Sequence, residues 1–374
     1  MKRLFSLLIG VAATICATAQ TATSTRQTAE NIWRANPPRL NFNAADMPAD
    51  SFPKWQAEMS AAMAALMKHP SAQSAAPTLE SSTRKEGYTL ERWLSYPLEG
   101  SVVPFYVMIP DTLSGLSVLC IPGFGQTKEL LISEGGQGWH LMRNGAIAVV
   151  VDNPSCGELN DGGVNDYVVS SRFLLEMGWS WLGLASWQDK VILDWMKTDP
   201  RIHPDNIVVS GFSLGTEPLM VLGLLDPSIR GFVYNDFLCR TRERALTMNK
   251  RDANGFRGFP NNIEHLIPGF LAEFDFPDIV AALAPRPVIC TEGGMDRDFR
   301  IIGEAFALAG APEAFEAYHY PMYADPASRV QLEEMPNGVD RDEFFRLANV
   351  DPPHHGYKIN LIAPWLKQFA EQGK

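Results

Sequence analysis

From residue 89 onward, short apolar runs alternate with stretches of helical periodicity, and this alternation constrains the fold more than any other feature of the chain. Runs that are apolar throughout and have helix-length connections are typical of parallel strands covered on both faces. The first two runs are separated only by EGS, too short for a crossover helix, so they are expected to form an antiparallel hairpin at the sheet edge. The runs are LERWLSYPL, VVPFYVMIP, LSVLCIP, AIAVVVD, NIVVSG, GFVYND, RPVICTEG and EAFEAYHYP. The sequence therefore predicts an α/β fold with a mostly parallel eight-stranded sheet and helices on both faces.

Residues 1–19 have the layout of a secretory signal peptide. Two basic residues precede about a dozen apolar ones and an Ala-Thr-Ala segment, which predicts cleavage near Gln20 and export to the periplasm or beyond. The apolar stretch is too short for a permanent membrane helix, and no later window is long and apolar enough to be one. Lipid attachment at Cys16 is a less favoured alternative, because bulky Ile15 stands where such signals need a small residue.

Residues 20–88 differ from the rest in composition. The segment FPKWQAEMSAAMAALMKHP predicts a helix, and the polar SAQSAAPTLESSTRKEG that follows it is typical of a linker. We therefore expect an N-terminal helical extension and linker at 20–88, and one main domain at 89–374.

Charge and cysteine spacing exclude some classes of function. The chain has 43 acidic and 32 basic residues, a formal charge of −11, and no Lys/Arg run, so nucleic acid is not an expected partner. The cysteines match no metal motif. Cys120 and Cys290 fall in apolar runs and are expected to be buried thiols, whereas export would permit a disulfide between Cys156 and Cys239, which we do not favour.

The segment NIVVSGFSLGTEPLMVLGLL contains the pattern G-x-S-x-G around Ser213. The pattern alone is weak, but here it lies between a short apolar strand and an apolar helix, the sharp turn that exposes a nucleophilic serine. The amide of Leu214, at the helix start, would face an oxyanion beside Ser213. The turn after the third run, PGFG, offers a second amide, that of Phe124.

A serine nucleophile needs a base and a group that orients the base. The turn TEGGMDRDF follows a buried strand, and Asp296 within it is the preferred acid, with Asp298 and Glu292 as weaker rivals. His355 is preferred as the base over its neighbour His354, because Gly356 and Tyr357 after it are expected to open the last helix.

The order of GFSLG, the acid in GGMD and HGYK before the last helix resembles the α/β-hydrolase superfamily over residues 89–374. Within it, PGFLAEFDFPDIVAALAPRPVI, IPGFGQTKE and DNPSCGE are similar to the bacterial acetyl xylan esterase-like branch, near the dienelactone hydrolases and cephalosporin C deacetylases. Residue by residue, the resemblance implies that Ser213 is the nucleophile, His355 the base and Asp296 the acid.

The same resemblance implies an exported serine carboxylesterase that removes small acyl groups, acetyl above all, from plant polysaccharide, without a metal or organic cofactor. Two departures stand out: Pro122 replaces a histidine common in relatives, and residues 322–353 form a long insertion that could wall the substrate pocket. A serine peptidase of the same superfamily and a non-catalytic carbohydrate-binding relative remain as alternatives.

Overall fold

The computed structural model describes residues 22–71, 75–161, 166–251, 255 and 262–371. The chain divides into two compact units, Met1–Asn36 and Pro37–Lys374. The described part of the first unit contains one helix, α1 (Thr25–Ala35), whose first turn is capped by the side chain of Ser24.

The second unit contains the remaining helices and all described strands. The helices are α2 (Phe52–Met67), α3 (Lys128–Ile132), α4 (Gln137–Arg143), α5 (Tyr167–Glu176), α6 (Trp181–Met196), α7 (Thr216–Leu225), α8 (Thr241–Leu246), α9 (Phe270–Glu273), α10 (Phe276–Ala281), α11 (Asp296–Leu308), α12 (Arg341–Leu347) and α13 (Ile359–Glu371). The strands are β1 (Ala75–Lys85), β2 (Tyr88–Tyr96), β3 (Val103–Pro110), β4 (Ser117–Ile121), β5 (Ile147–Val150), β6 (Ile207–Phe212), β7 (Gly231–Asn235), β8 (Val288–Cys290) and β9 (Phe315–Ala317).

These strands form one sheet in the order β1-β2-β3-β5-β4-β6-β7-β8-β9. The pairs from β5 to β9 are parallel, and β1, β2 and β3 are antiparallel to their neighbours. All eight predicted runs are strands, and the first two form the predicted hairpin. The mostly parallel α/β architecture is therefore confirmed, with one strand more than expected.

The extra strand, β1, lies in the segment interpreted as a linker. It pairs with β2 and takes the sheet edge that was predicted for the β2–β3 hairpin. Its side chains are almost all exposed, so it lacks the apolar alternation that identifies a half-buried strand. The linker prediction is wrong here, because backbone pairing rather than side-chain burial holds this segment.

Helices cover both faces of the sheet. Alternate residues of β4 point to opposite sides, with Leu119 in one apolar cluster and Val118 in the other. Helices α2, α6, α7, α10 and α11 contribute to the first cluster, and α3, α4 and α13 to the second. The predicted extension helix is α2, and its residues Met59 and Met67 are fully buried in the first cluster.

Two further expectations concern cysteines and membranes. Cys120, Cys156, Cys239 and Cys290 are all buried free thiols, so Cys156 and Cys239 do not form a disulfide. Among the described residues, no helix has the length and apolar character needed to cross a bilayer. The predicted signal peptide, residues 1–19, lies outside the described residues.

The parallel register decides where the functional loops lie. Strands β4, β6, β7 and β8 end at the same edge of the sheet, with Ile121 beside Gly211, Phe212 beside Asn235 and Tyr234 beside Cys290. Loops after the carboxyl ends of parallel strands are where α/β sheets bind ligands. The GFSLG turn, the PGFG turn and the acid-bearing turn therefore converge.

Candidate active site

Ser213 lies on a sharp turn between β6 and α7. Its φ is 51°, in the left-handed region that non-glycine residues rarely adopt. The flanking glycines allow the chain to fold back on itself. A Cβ atom at Gly211 would lie 2.3 Å from the Gly215 carbonyl oxygen, and one at Gly215 would lie 2.4 Å from that of Ile121. Backbone strain of this kind costs about 1–3 kcal/mol and is typical of functional sites.

His355 lies in the loop before α13 and lines the same cavity as Ser213. Its Nδ1 atom is 2.6 Å from Oε2 of Glu292, and the ring of Phe212 stacks on the imidazole at 4.8 Å. These two contacts orient the ring and leave Nε2 available to act as a base.

Glu292 follows β8 and has a fully buried side chain. Besides His355, its carboxylate accepts a hydrogen bond from the Gly356 amide at 2.9 Å, and Lys358 Nζ lies 2.8 Å from Oε1. Burial raises the pKa of this carboxyl, but the hydrogen bonds from His355 and Lys358 outweigh burial and hold the pKa below its ordinary value. Glu292 is therefore an anion that faces the imidazole.

Asp296, the acid preferred from the sequence, does not contact His355. It is the first residue of α11, and its carboxylate accepts a hydrogen bond from Arg329 Nη1 at 2.6 Å, with His319 Nε2 at 3.3 Å. Gly293 and Gly294 both have positive φ. The turn that they form separates Glu292 from Asp296, and Glu292 is the acid that faces His355. The structure therefore places Glu292, and not Asp296, against His355.

The structure also locates Asp298, a weaker candidate for the acid, and His354, the alternative base. Asp298 is buried and forms an ion pair with Arg240 at 2.7 Å. His354 has a 74% exposed side chain and contacts Asp351 rather than the serine loop. The structure therefore brings His355, and not His354, to the cavity of Ser213.

The two predicted oxyanion donors flank Ser213. Leu214 is the second residue of the short 3₁₀ turn at 213–215, where backbone amides have no acceptor within the helix. A Cβ atom at Gly123 would lie 3.2 Å from the Ser213 Cβ, so the PGFG turn packs directly on the serine. Within the described part of the chain, the Phe124 amide donates no hydrogen bond. Leu214 and Phe124 both line the cavity.

Asp236 is a site residue that the sequence reasoning missed. It follows β7, and one carboxylate oxygen lies within 4.8 Å of ligand atoms of both Glu292 and His355. Burial raises the pKa of Asp236 to about 6, against the attraction of His355. Its position directly after the predicted strand GFVYND, at the same sheet edge, was the signal that could have identified it.

The Asp236, Glu292 and His355 side chains are close enough together to hold a metal ion. Their existing contacts favour a different interpretation, because Glu292 already binds the imidazole, the Lys358 ammonium and an amide. Burial lowers the pKa of His355, but the hydrogen bond that it donates to Glu292 and the charge of Asp236 outweigh burial and raise the pKa above its ordinary value. The arrangement suits a histidine that accepts a proton.

The cavity at these residues has a volume of about 270 Å³. The predicted insertion at 322–353 contributes apolar side chains, Phe344 and Phe345 of α12 and Val350 of the next loop, together with the charged Arg341 of α12. Helices α7 and α8 contribute further charged side chains to the lining. A cavity of this size with a few polar groups holds a small ligand or part of a larger one.

Comparisons with known proteins identify a family and similar structures. A family model described as "Abhydrolase family" matches residues 13–368, whereas none of the curated proteins matches the chain. A "putative acetyl xylan esterase" from Bacteroides fragilis is 46% identical, with 93% of this chain and 96% of that one covered and a TM-score of 0.88. Methylesterase BT1017 is 20% identical, over 74% of this chain and 59% of that one, with a TM-score of 0.53. A glucuronoyl esterase from Solibacter usitatus is 12% identical, over 76% of this chain and 92% of that one, with a TM-score of 0.51. The last two show the fold alone.

Proposed function

The chain belongs to the abhydrolase family and is a carboxylic ester hydrolase of the α/β-hydrolase fold; from that premise we propose that it is an exported serine esterase that removes acetyl groups from plant polysaccharide. The resemblance to the acetyl xylan esterase-like branch is confirmed by the relative at 46% identity. The observation that carries the proposal is the shared cavity of Ser213 and His355, with His355 held by the buried carboxylate of Glu292.

In the first step, His355 Nε2 removes the hydroxyl proton as Ser213 Oγ attacks the ester carbonyl carbon. The carbonyl oxygen becomes an oxyanion, which the amides of Leu214 and Phe124 stabilise. The C–O bond to the sugar then breaks, and the imidazolium gives its proton to the departing sugar hydroxyl. The acyl group remains on Ser213.

In the second step, His355 removes a proton from water, and the resulting hydroxide attacks the acyl carbon. The oxyanion forms again at the same amides, the bond to Ser213 Oγ breaks, and the proton returns to the serine. The anionic Glu292 stabilises the imidazolium in both steps and holds the ring in one tautomer.

The size of the cavity and the identity of the relative support a small acyl group. A volume of about 270 Å³ is near the lower end of the range for small-molecule sites. The Bacteroides fragilis relative covers nearly the whole chain, which supports transfer of the acetyl xylan substrate class to this protein.

The test is hydrolysis of p-nitrophenyl acetate, butyrate and octanoate by the mature protein, followed by acetylated xylan. We expect the acetate to be turned over fastest. The Ser213→Ala and His355→Ala variants are each expected to lose roughly 10³-fold or more in kcat, because the remaining groups only bind and polarise the ester.

His354→Ala is the matched control, since its side chain is exposed and lies outside the cavity. It is expected to keep wild-type turnover. Wild-type hydrolysis no faster than that of Ser213→Ala would refute the esterase proposal and favour a carbohydrate-binding protein on the same scaffold.

Export is part of the proposal and rests on the signal-like residues 1–19. Expression of the full chain in a Gram-negative host, followed by fractionation and N-terminal sequencing, should give a periplasmic or secreted protein that begins near Gln20. A cytoplasmic protein that retains Met1 would contradict it.

A further inference from the structure

A second group of ionisable side chains lines the cavity and has no role in the proposed mechanism. It consists of Glu217, Arg244 and His265, which we call the charged wall. Glu217 lies on α7, one helical turn after Ser213, and Arg244 lies on α8. His265 belongs to a short turn at 263–265. Three separate elements thus bring ionisable groups to the cavity that Ser213 lines.

The charged wall is well buried but incompletely paired. The side chains of Glu217, His265 and Arg244 are 4%, 8% and 12% exposed. His265 Nδ1 lies 2.7 Å from Glu217 Oε1, whereas Arg244 Nη1 reaches the same oxygen only at 3.5 Å. The second oxygen, Oε2, is buried and has no hydrogen-bond partner among the described residues.

Such an arrangement lowers the free energy of unfolding. A buried charge costs several kcal/mol unless its partners satisfy it, and an unpaired buried acceptor adds about 1–3 kcal/mol. Burial opposes ionisation of Glu217, but the charges of His265 and Arg244 prevail and lower its pKa, so the side chain is an anion. A ligand that donates a hydrogen bond to Oε2 would satisfy the missing contact.

We propose that Glu217 and Arg244 form a subsite for two neighbouring hydroxyl groups of a neutral sugar ring. In a sugar acylated at O2, the 3-hydroxyl donates a hydrogen bond to Glu217, and the oxygen of the 4-hydroxyl accepts one from the Arg244 guanidinium. This inference rests on the proposed esterase function and adds the part of the substrate that the cavity recognises.

The acids beside the proposed subsite favour hydroxyls over a carboxylate. A carboxylate on the sugar could not donate a hydrogen bond to Glu217, and it would be a further anion beside Glu217 and Asp236, which both line the cavity. The other arginine of the lining, Arg341, lies over the Phe345 ring. Arg244 already lies within the field of Glu217 and Asp236, both of which raise its pKa. Its charge is thus balanced by the protein.

The apolar part of the lining suits the rest of the ring. Phe344 and Phe345 on α12 and Val350 after it present apolar surface to the same cavity as the charged wall. A pyranose has apolar C–H faces and polar hydroxyl edges, so it can place a face on this surface while its edge meets Glu217 and Arg244. An aliphatic acyl chain in the same place would give Glu217 and Arg244 no hydrogen-bond partner.

The test compares an ester with hydroxyl groups and one without them. Methyl 2-O-acetyl-β-D-xylopyranoside, its 3-deoxy counterpart and p-nitrophenyl acetate are each given to wild type and to Glu217→Gln. A hydrogen bond to a charged group contributes about 1.5–3 kcal/mol, which corresponds to a loss of about 10- to 100-fold in kcat/KM. We expect this loss for Glu217→Gln on the xyloside and little change on p-nitrophenyl acetate.

The deoxy substrate provides a readout that does not depend on the variant. Wild type should lose a similar factor when the hydroxyl is removed, and Glu217→Gln should lose little more on the deoxy substrate, because both changes remove the same interaction. Glu264→Gln is the matched control: Glu264 is buried beside His265 but does not line the cavity, so both esters should be hydrolysed as by wild type.

Results with the variant would overturn the subsite in three cases. Glu217→Gln could lose as much kcat/KM on p-nitrophenyl acetate as on the xyloside, or it could hydrolyse the xyloside at the wild-type rate. The losses from the variant and from the deoxy substrate could also prove additive. If wild type hydrolyses neither ester, the esterase proposal itself fails and the subsite fails with it. Turnover of p-nitrophenyl acetate alone would keep the esterase and reject the sugar subsite.

Discussion

At the scale of single residues, the surroundings of Glu292 and Asp296 distinguish the acid that we propose for the mechanism from the acid preferred from the sequence. Glu292 is buried against His355, whereas Asp296 binds Arg329 and Gln331 near the surface. Glu292→Gln is expected to lower kcat roughly 100-fold or more, because the amide stabilises neither the imidazolium nor the correct tautomer. The measurement is kcat on p-nitrophenyl acetate.

Asp296→Asn is the matched control for that experiment and should keep most of the activity. A large loss in Asp296→Asn with a nearly normal Glu292→Gln enzyme would restore the assignment made from the sequence. Unfolding midpoints of both variants show whether a loss of activity reflects a loss of fold.

The charge of Asp236 predicts a pH dependence. The proposed mechanism needs neutral His355, so the acid limb of kcat/KM should follow the pKa of this histidine in the free enzyme. That pKa is raised, which places the limb above the ordinary value of about 6.5. Asp236→Asn removes an anion that stabilises the imidazolium, so the pKa falls and the limb moves to lower pH. A limb that stays in place or moves to higher pH would contradict the role given to Asp236.

At the scale of secondary-structure elements, a buried ion pair joins α3 to the end of β5. The Lys128 ammonium lies 2.7 Å from Asp152 Oδ2, both side chains are fully buried, and the Lys128 amide binds Asp152 Oδ1 at 2.7 Å. The next residue, Asn153, donates a hydrogen bond to the carbonyl of Pro122, at the base of the PGFG turn. The ion pair therefore supports the loop that carries a proposed oxyanion donor.

Lys128→Met leaves the Asp152 carboxylate buried without its cation and is expected to lower the free energy of unfolding by about 3–5 kcal/mol. Urea denaturation measures this change. The double variant Lys128→Met/Asp152→Asn removes both charges and should recover much of the loss. A double variant as unstable as the single one would show that the charge of Asp152 is not the cause.

At the scale of the whole molecule, the boundary of the second unit at residue 37 differs from the predicted domain start at residue 89. A protein of residues 89–374 lacks α2 and β1, and therefore Met59, Met63 and Met67, which are fully buried in the core. Large-to-small changes at such positions already cost about 2–5 kcal/mol each, so loss of the whole helix should prevent folding.

A protein of residues 37–374 keeps all of these contacts and is expected to unfold in a single cooperative transition and to hydrolyse p-nitrophenyl acetate. Differential scanning calorimetry and circular dichroism compare the two proteins. A cooperatively folded, active 89–374 protein would show that the N-terminal segment is dispensable.

How much of this could be predicted from the sequence depends on whether the signal is local. Strands β2 to β9 are apolar enough to be recognised, and the glycines that the turn at Ser213 requires identify this serine in the sequence. The choice between Glu292 and Asp296 depends on how a two-glycine turn directs each side chain, and no pattern of residue types encodes that direction. Strand β1 was not recognised for a related reason: it pairs with β2 through its backbone, and its exposed side chains carry no apolar pattern.

The left-handed backbone of Ser213 lowers the stability of the fold at the position that carries the proposed nucleophile. Glycine adopts that conformation without strain, whereas serine must keep its Cβ atom in it. Ser213→Gly would therefore relax the turn and delete the hydroxyl on which the proposed reaction depends. Selection for thermal stability alone would favour the loss of the proposed nucleophile. A search for thermostable variants of this protein must therefore measure turnover as well as the melting temperature.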